Sequence, residues 1–231
     1  MKKILSFMFI AVVIFSCAKE ENDKMYVKGE VSGLKKGKFY LQKQKDSVFV
    51  TVDSVMVNGT DTFILTDKVE SPEIYFLKMS RSDKKIPFFG ENDTIVIKTS
   101  LDKFSYLYKI KGSENQERLE KFKETYKKFN GKDLDLIKAR FDAAARKDTD
   151  SVKKIEDLRE KLLRRKYLYA INFAINNSDH EVAPYIALTE LNYAKTKWLD
   201  SIYNSLTPDI KDSKYGKSLQ EFIVRIKVAE E

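Results

Sequence analysis

The chain has 231 residues, 42% hydrophobic and 12% aromatic, which is enough apolar material for a packed body and too much for disorder. Its 43 basic and 35 acidic side chains leave a formal charge of +8, but the two signs are interspersed and no nucleic-acid-binding face is marked. A single cysteine excludes an internal disulfide and any Cys-x-x-Cys redox pair, and with 8 Gly and 4 Pro there is no low-complexity linker.

The chain opens with Lys2 and Lys3, an apolar run from Ile4 to Phe15, the small residue Ser16, and Cys17. A cationic start, a short apolar core and a small residue at the cut are the parts of a secretory signal. The run is too short to cross a hydrocarbon layer of about 30 Å, which takes about 20 residues. Cys17 at its end resembles the lipobox cysteine of bacterial lipoproteins. That resemblance implies cleavage after Ser16 and acylation of Cys17, with residues 1–16 as leader and 17–24 as a lipidated tether. Several acyl chains would then hold the protein on a bilayer stably, where one chain would not. The alternative is a plain signal peptide with an incidental cysteine. Cys17-Ala18-Lys19-Glu20-Glu21 resembles the export signal of Bacteroidetes-type lipoproteins, in which Lys19, Glu20 and Glu21 direct the protein to the outer face of the outer membrane. Read plainly, the same residues are a solvated tether, and a periplasmic face stays open.

Loss of Lys2 and Lys3 with the leader would leave 41 basic against 35 acidic side chains over 215 residues. Such a surface draws acidic glycans or anionic lipids only weakly. With Cys17 acylated, the mature body holds no thiol nucleophile and no cysteine-ligated metal.

From Lys24 to about Lys111 the pattern predicts strands. Runs at 25–31, 38–42, 48–52, 62–66, 73–77, 94–98 and 106–110 alternate or are rich in β-branched and aromatic residues. Gly33, Gly37, Asn58-Gly59, Ser71-Pro72 and Gly90-Glu91-Asn92-Asp93 separate them. Short strands at this spacing predict an antiparallel sandwich or barrel over 25–111.

From residue 112 the period becomes helical. Ser113 and Gln116 read as a capping box opening a helix over 113–129, which Gly131 breaks. Further helices are predicted over 132–146, 149–176, 180–192, 195–206 and 214–229, with Pro208 in the last gap. The expected class is α+β: an N-terminal antiparallel β domain, then a helical domain over 112–231.

A second resemblance runs through both parts. The strand region carries Gly29-x-Val31-x-Gly33, Tyr40-Leu41, Asp53-Ser54, Asn58-Gly59, Phe63, Pro87-Phe88-Phe89, Asp93-Thr94-Ile95-x-Ile97 and Ile110-x-Gly112-Ser113-x-Asn115. The helical region carries Phe173-x-x-x-Asn177, Ala183, Leu199, Tyr203-x-x-Leu206-x-Pro208 and Ser213-x-Tyr215-Gly216-x-x-Leu219. Together they resemble the domain of unknown function ahead of the thioredoxin module in Bacteroidetes-type thiol–disulfide interchange lipoproteins (TlpA/ResA-like). Two departures stand out. Thr60-Asp61-Thr62 lengthens the link to Phe63, and the chain reaches Glu231 about where that family's linker enters its redox domain. The family's oxidoreductase activity is therefore not carried over to this chain.

No residue set calls for a cofactor, a metal or catalysis. His180 is the only histidine, beside Asp179 and Glu181 at a helix start, and sequence neighbours on a helix do not face one another. It reads as an exposed cap-region residue. No Gly-x-Ser-x-Gly elbow is present. Asp53-Ser54 reads as a side-chain-to-backbone turn device, and Asp148 and Asp150 lie at a helix junction. Among the aromatics, alternation should turn half of Phe88-Phe89 and of Tyr106/Tyr108 out of the core. Trp198 reads as a packing anchor, or as one wall of a groove with Tyr193 or Tyr203. Two functions are expected from these readings. One is a non-enzymatic binding or scaffolding module anchored in the outer membrane, taking a protein, peptide or glycan. The other is a docking subunit for a separate thioredoxin-like protein.

Overall fold

The computed structural model describes residues 24–46, 48–80 and 82–230. Cys17, Lys19, Glu20 and Glu21 lie outside the described residues. Eight strands come first: β1 (Met25–Ser32), β2 (Lys36–Lys45), β3 (Val48–Asn58), β4 (Thr62–Asp67), β5 (Glu73–Met79), β6 (Lys85–Gly90), β7 (Thr94–Ser100) and β8 (Tyr108–Lys111). Six helices follow: α1 (Glu114–Ala145), α2 (Thr149–Asn176), α3 (Val182–Glu190), α4 (Thr196–Ser205), α5 (Pro208–Asp212) and α6 (Lys214–Glu230). Among the described residues no helix is long and apolar enough to cross a membrane.

The strands form two four-stranded sheets, ordered β4-β1-β7-β8 and β3-β2-β5-β6. The second is antiparallel throughout. In the first, β1 and β7 run parallel, Val27 beside Ile95 and Gly29 beside Ile97, so that sheet is mixed. Alternation sets the core between them. Met25, Val27 and Val31 of β1, Phe39 and Leu41 of β2, Tyr75 and Leu77 of β5, and Ile95 and Ile97 of β7 point inward and are buried. Phe39 stacks on Phe63 at 4.4 Å, and Phe104, from the β7–β8 connection, closes on Phe39 at 6.0 Å.

The α+β class expected from the sequence is what the chain adopts. Within it the structure corrects several local expectations. Residues 85–90 form a strand that the run of strand signals passed over, because Pro87 lowers its apparent propensity. Pro87 pairs with Phe76 on an edge strand, where a missing N–H is tolerated. Tyr106 lies in the turn before β8, not in a strand. Phe88 and Phe89 are both fully buried, against the expectation that one would face out. They do point to opposite faces of β6, but each face is covered: Phe88 enters the sandwich core and Phe89 a separate core among the helices.

Gly131 does not break the first helix, which runs unbroken for 32 residues. A glycine inside a helix costs roughly 0.5–1 kcal/mol relative to alanine, too little to end it when the turns on either side hold. Asp148 caps α2 by accepting the Ser151 N–H at 3.0 Å. The Ser151 side chain first, and then this backbone bond, hold its carboxyl below the usual range. A short helix, α5, occupies the gap that Pro208 was expected only to punctuate, with the proline in its first turn.

The helical core gathers Leu119 and Phe122 from α1, Ala170, Ile171 and Ala174 from α2, most of the apolar face of α3, Leu199 and Ile202 from α4, and Leu219 and Ile223 from α6. Only the base of the long α1–α2 hairpin takes part. Residues 127–166 contribute nothing to that core, and their only buried side chains are Ala143 and Leu162.

Candidate functional site

The sheet and the helices meet along the outer face of β5 and β6. Ile74 and Phe89 are register partners there and face the helices, Phe89 lying edge-on to Tyr185 of α3 at 5.3 Å and to Tyr215 of α6 at 6.1 Å. Side-chain hydrogen bonds tie the seam. Ser113 caps α1 by accepting the Gln116 N–H at 3.0 Å, but the Gln116 side chain does not complete the expected capping box. Its Oε1 instead accepts the Phe89 N–H at 3.0 Å, fixing α1 to β6. The Tyr215 hydroxyl accepts the Ile74 N–H at 3.0 Å, fixing α6 to β5. Asn115 accepts the Val182 N–H at 2.8 Å and donates from Nδ2 to Glu91 and to Glu181, each at 2.9 Å. Gly112 leads from β8 into α1 at φ +90°, and a Cβ there would lie 2.1 Å from the Thr94 carbonyl oxygen, so only glycine fits.

Beside this seam opens a cleft of about 450 Å³. One wall is sheet, with Gln44, Ile74 and Phe76, and the other is helix, with Tyr185, Leu188, Thr189 and Tyr215. Glu73 and Lys214 meet at its edge as an ion pair, and Lys214 also donates to the Gln44 carbonyl at 3.2 Å. The polar chain continues inward. Lys43 lies 3.9 Å from Glu73 and donates to Asp67 at 2.8 Å, and the Tyr75 hydroxyl donates to the same Asp67 oxygen at 2.7 Å.

The electrostatics follow from burial. Desolvation, then the hydrogen bond and charge of Asp67, push the Tyr75 phenol far up. Burial likewise pushes Tyr215 up, and Tyr185 in the same direction. These phenols therefore stay protonated, and those of Tyr75 and Tyr215 make the hydrogen bonds to Asp67 and to Ile74 described above. Both carboxylates of the network lie against lysines. Such a site can align the polar groups of a ligand against aromatic walls. Phe76 extends this surface along the sheet, edge-on to Phe49 at 5.0 Å, with Lys85 3.4 Å above the Phe49 ring.

The residues singled out from sequence fall elsewhere. His180 is not exposed: its side chain is only 16% accessible, held between Asp179 at 2.7 Å and Glu114 at 3.1 Å. The sequence neighbourhood could not show this, because Glu114 arrives from α1, 66 residues away. Asp53 does bond backbone, accepting from Ser54 N at 2.7 Å and from Thr66 N at 2.8 Å, and so pins β3 to β4 beside a bulge in the β2–β3 pairing. Trp198 and Tyr203 pack against the helical core, while Tyr193 is 86% exposed and stands apart from the cleft. Among the described residues no group of three or more His, Cys, Asp or Glu is placed to hold a metal ion.

Sequence reading passed over Gln44, Glu73, Tyr185 and Lys214. Tyr215 was visible only as part of the resemblance. None of the five carries a local motif, since the two walls come from segments more than a hundred residues apart. No curated protein and no solved structure matches the chain. Residues 25–119, which span the whole sandwich and the capped start of α1, match a family model and form a domain of unknown function (DUF4369).

Proposed function

We propose that this protein is an outer-membrane lipoprotein, anchored through Cys17 and exported by Lys19, Glu20 and Glu21, that acts as a non-enzymatic binding or scaffolding module. The observation that carries the reading is the chemistry of the cleft between sheet and helices. General acid–base catalysis needs a group poised near the working pH. Here the phenols are held protonated and the carboxylates lie against lysines. Aromatic walls with a few fixed polar groups are the composition of a recognition site, and they suit an extended peptide or a glycan.

Two measurements test this. Metabolic labelling with an alkyne fatty acid should mark the wild-type protein and not the Cys17→Ser variant, and a label retained in the variant would overturn the anchor. A photo-cross-linking residue at position 189, within the cleft, should capture a peptide, glycan or protein from intact cells. Chemical turnover of the captured species would overturn the non-enzymatic reading. Capture of a thioredoxin-fold protein through the cleft would instead make the chain a docking subunit of a thiol–disulfide system.

A further inference from the structure

The projecting part of the α1–α2 hairpin, residues 127–166, is a second surface, separate from the cleft. It holds 14 Lys and Arg against 8 Asp and Glu, so it carries +6 of the chain's formal +8. At 1.5 Å per residue, the 19 residues of α1 from 127 onward reach roughly 28 Å beyond the packed base. Along one side of the projection the two helices leave a groove of about 770 Å³. Leu136, Leu158, Leu162 and Leu168 are its apolar lining, Leu162 buried and Leu158 and Leu168 44% and 39% exposed. Lys132, Lys161, Arg164 and Arg165 stand around them, against the single carboxylate of Asp135. Among the described residues none of these four cations is ion-paired. The acids that are paired, Asp133 with Arg159 and Glu156 with Arg140, clasp the two helices together and line a different pocket of the hairpin.

We infer that this groove seats an amphipathic helix of a partner protein, one with a leucine-type apolar stripe bordered by Asp and Glu. A channel between two antiparallel helices is the place a third helix fills with its apolar ridge, and helix-in-groove recognition rests on that fit. Charge complementarity selects the acidic borders, since a cationic helix would leave the four rim cations facing like charge. The same consideration argues against a second copy of this hairpin, which is itself strongly cationic. A flat anionic bilayer would meet the rim cations but not fill the groove between the two helices.

The probe is a labelled peptide of about 20 residues, long enough to hold a helix, with leucines at helical spacing and glutamates on either side. Titrated by anisotropy against the full chain in detergent, it should bind, and binding should weaken as salt is raised. Leu158→Glu and the double variant Arg164→Glu/Arg165→Glu should each weaken it about tenfold or more, by lost apolar contact and by like-charge repulsion. Leu134→Glu, at a 66% exposed position outside the groove, should leave it unchanged. All of these positions are exposed, so circular dichroism should show each variant folded. Absence of binding, equal binding of a peptide with lysines in place of the glutamates, or equal binding by the groove variants would overturn the inference. So would groove-dependent flotation with phosphatidylglycerol vesicles in the absence of peptide binding, which would assign the surface to a membrane. Groove-dependent self-association in sedimentation would assign it to a second copy.

Discussion

The sandwich and the helical layer are each built on a buried apolar cluster, but only the sandwich closes on itself. Its two sheets supply both sides of their own core, and the short polar chain of Lys43, Asp67 and Tyr75 lies between β4 of one sheet and β2 and β5 of the other. The helical core instead borrows Phe89 outright and packs Ile74 from the sheet's outer face. Dependence between the halves is therefore lopsided. The helices need the sheet more than the sheet needs the helices, and the seam is where that dependence is exposed to test.

The largest effect should come from Phe89→Ala. Removing a fully buried phenylalanine costs about 3–5 kcal/mol, and here the loss falls on the borrowed side. Trp198, the only tryptophan, packs against the helical core and reports on it by fluorescence. In urea its transition should move to lower concentration and separate from the far-ultraviolet signal of the strands. If the two transitions stay superimposed, the halves are one cooperative unit and the asymmetry fails. Tyr215→Phe comes next. It keeps the ring against Phe89 and Tyr185 but leaves the Ile74 N–H without its acceptor, which costs about 1–3 kcal/mol. An unchanged melting temperature would mean that water replaces the hydroxyl and that the bond does little to hold the seam.

Gly131→Ala bears on neither core, since nothing lies within 4 Å of a Cβ at that position. It should raise stability by about 0.5–1 kcal/mol through helix propensity alone. A loss would show that residue 131 has a partner in solution, and the groove is the first place to seek it. The smallest effect is expected at Glu181. Burial first, and then the nearby charge of Glu91, raise its pKa, although the Asn115 hydrogen bond works the other way. An acid whose native pKa is raised binds more protons folded than unfolded, so its contribution to stability falls as the pH climbs from the ordinary carboxylate range through the elevated native value. Glu181→Gln should therefore melt higher than wild type at about pH 7.5 and close to it at about pH 4, where the carboxyl is largely protonated in both states. An equal gain at both pH values would point to packing, not charge.

Legibility in the sequence divides along the same line. The period-two alternation of β1, Met25-Tyr26-Val27-Lys28, names its buried face because one face of that strand meets the core and the other meets water. On β6 the rule fails. Phe88 and Phe89 are both buried because each side of the strand has its own cover, and alternation cannot register a second cover. Ser113 was legible as a cap, since the bond to Gln116 N spans three residues. The destination of the Gln116 side chain on Phe89 was not, since that bond spans 27.

By itself the sequence determined the α+β class, the order of strands before helices and the near-absence of thiols, because composition and short-range periodicity carry that information within a few residues. Only the tertiary structure decided that β1 and β7 run parallel, that the helices take Phe89 from the sheet, and that Gln44, Glu73, Tyr185 and Lys214 share a cleft. It also decided that the far half of a long hairpin leaves Leu158, Leu168, Arg164 and Arg165 exposed. Each of these rests on contacts between residues distant along the chain, whose energy exists only once the chain has closed on itself.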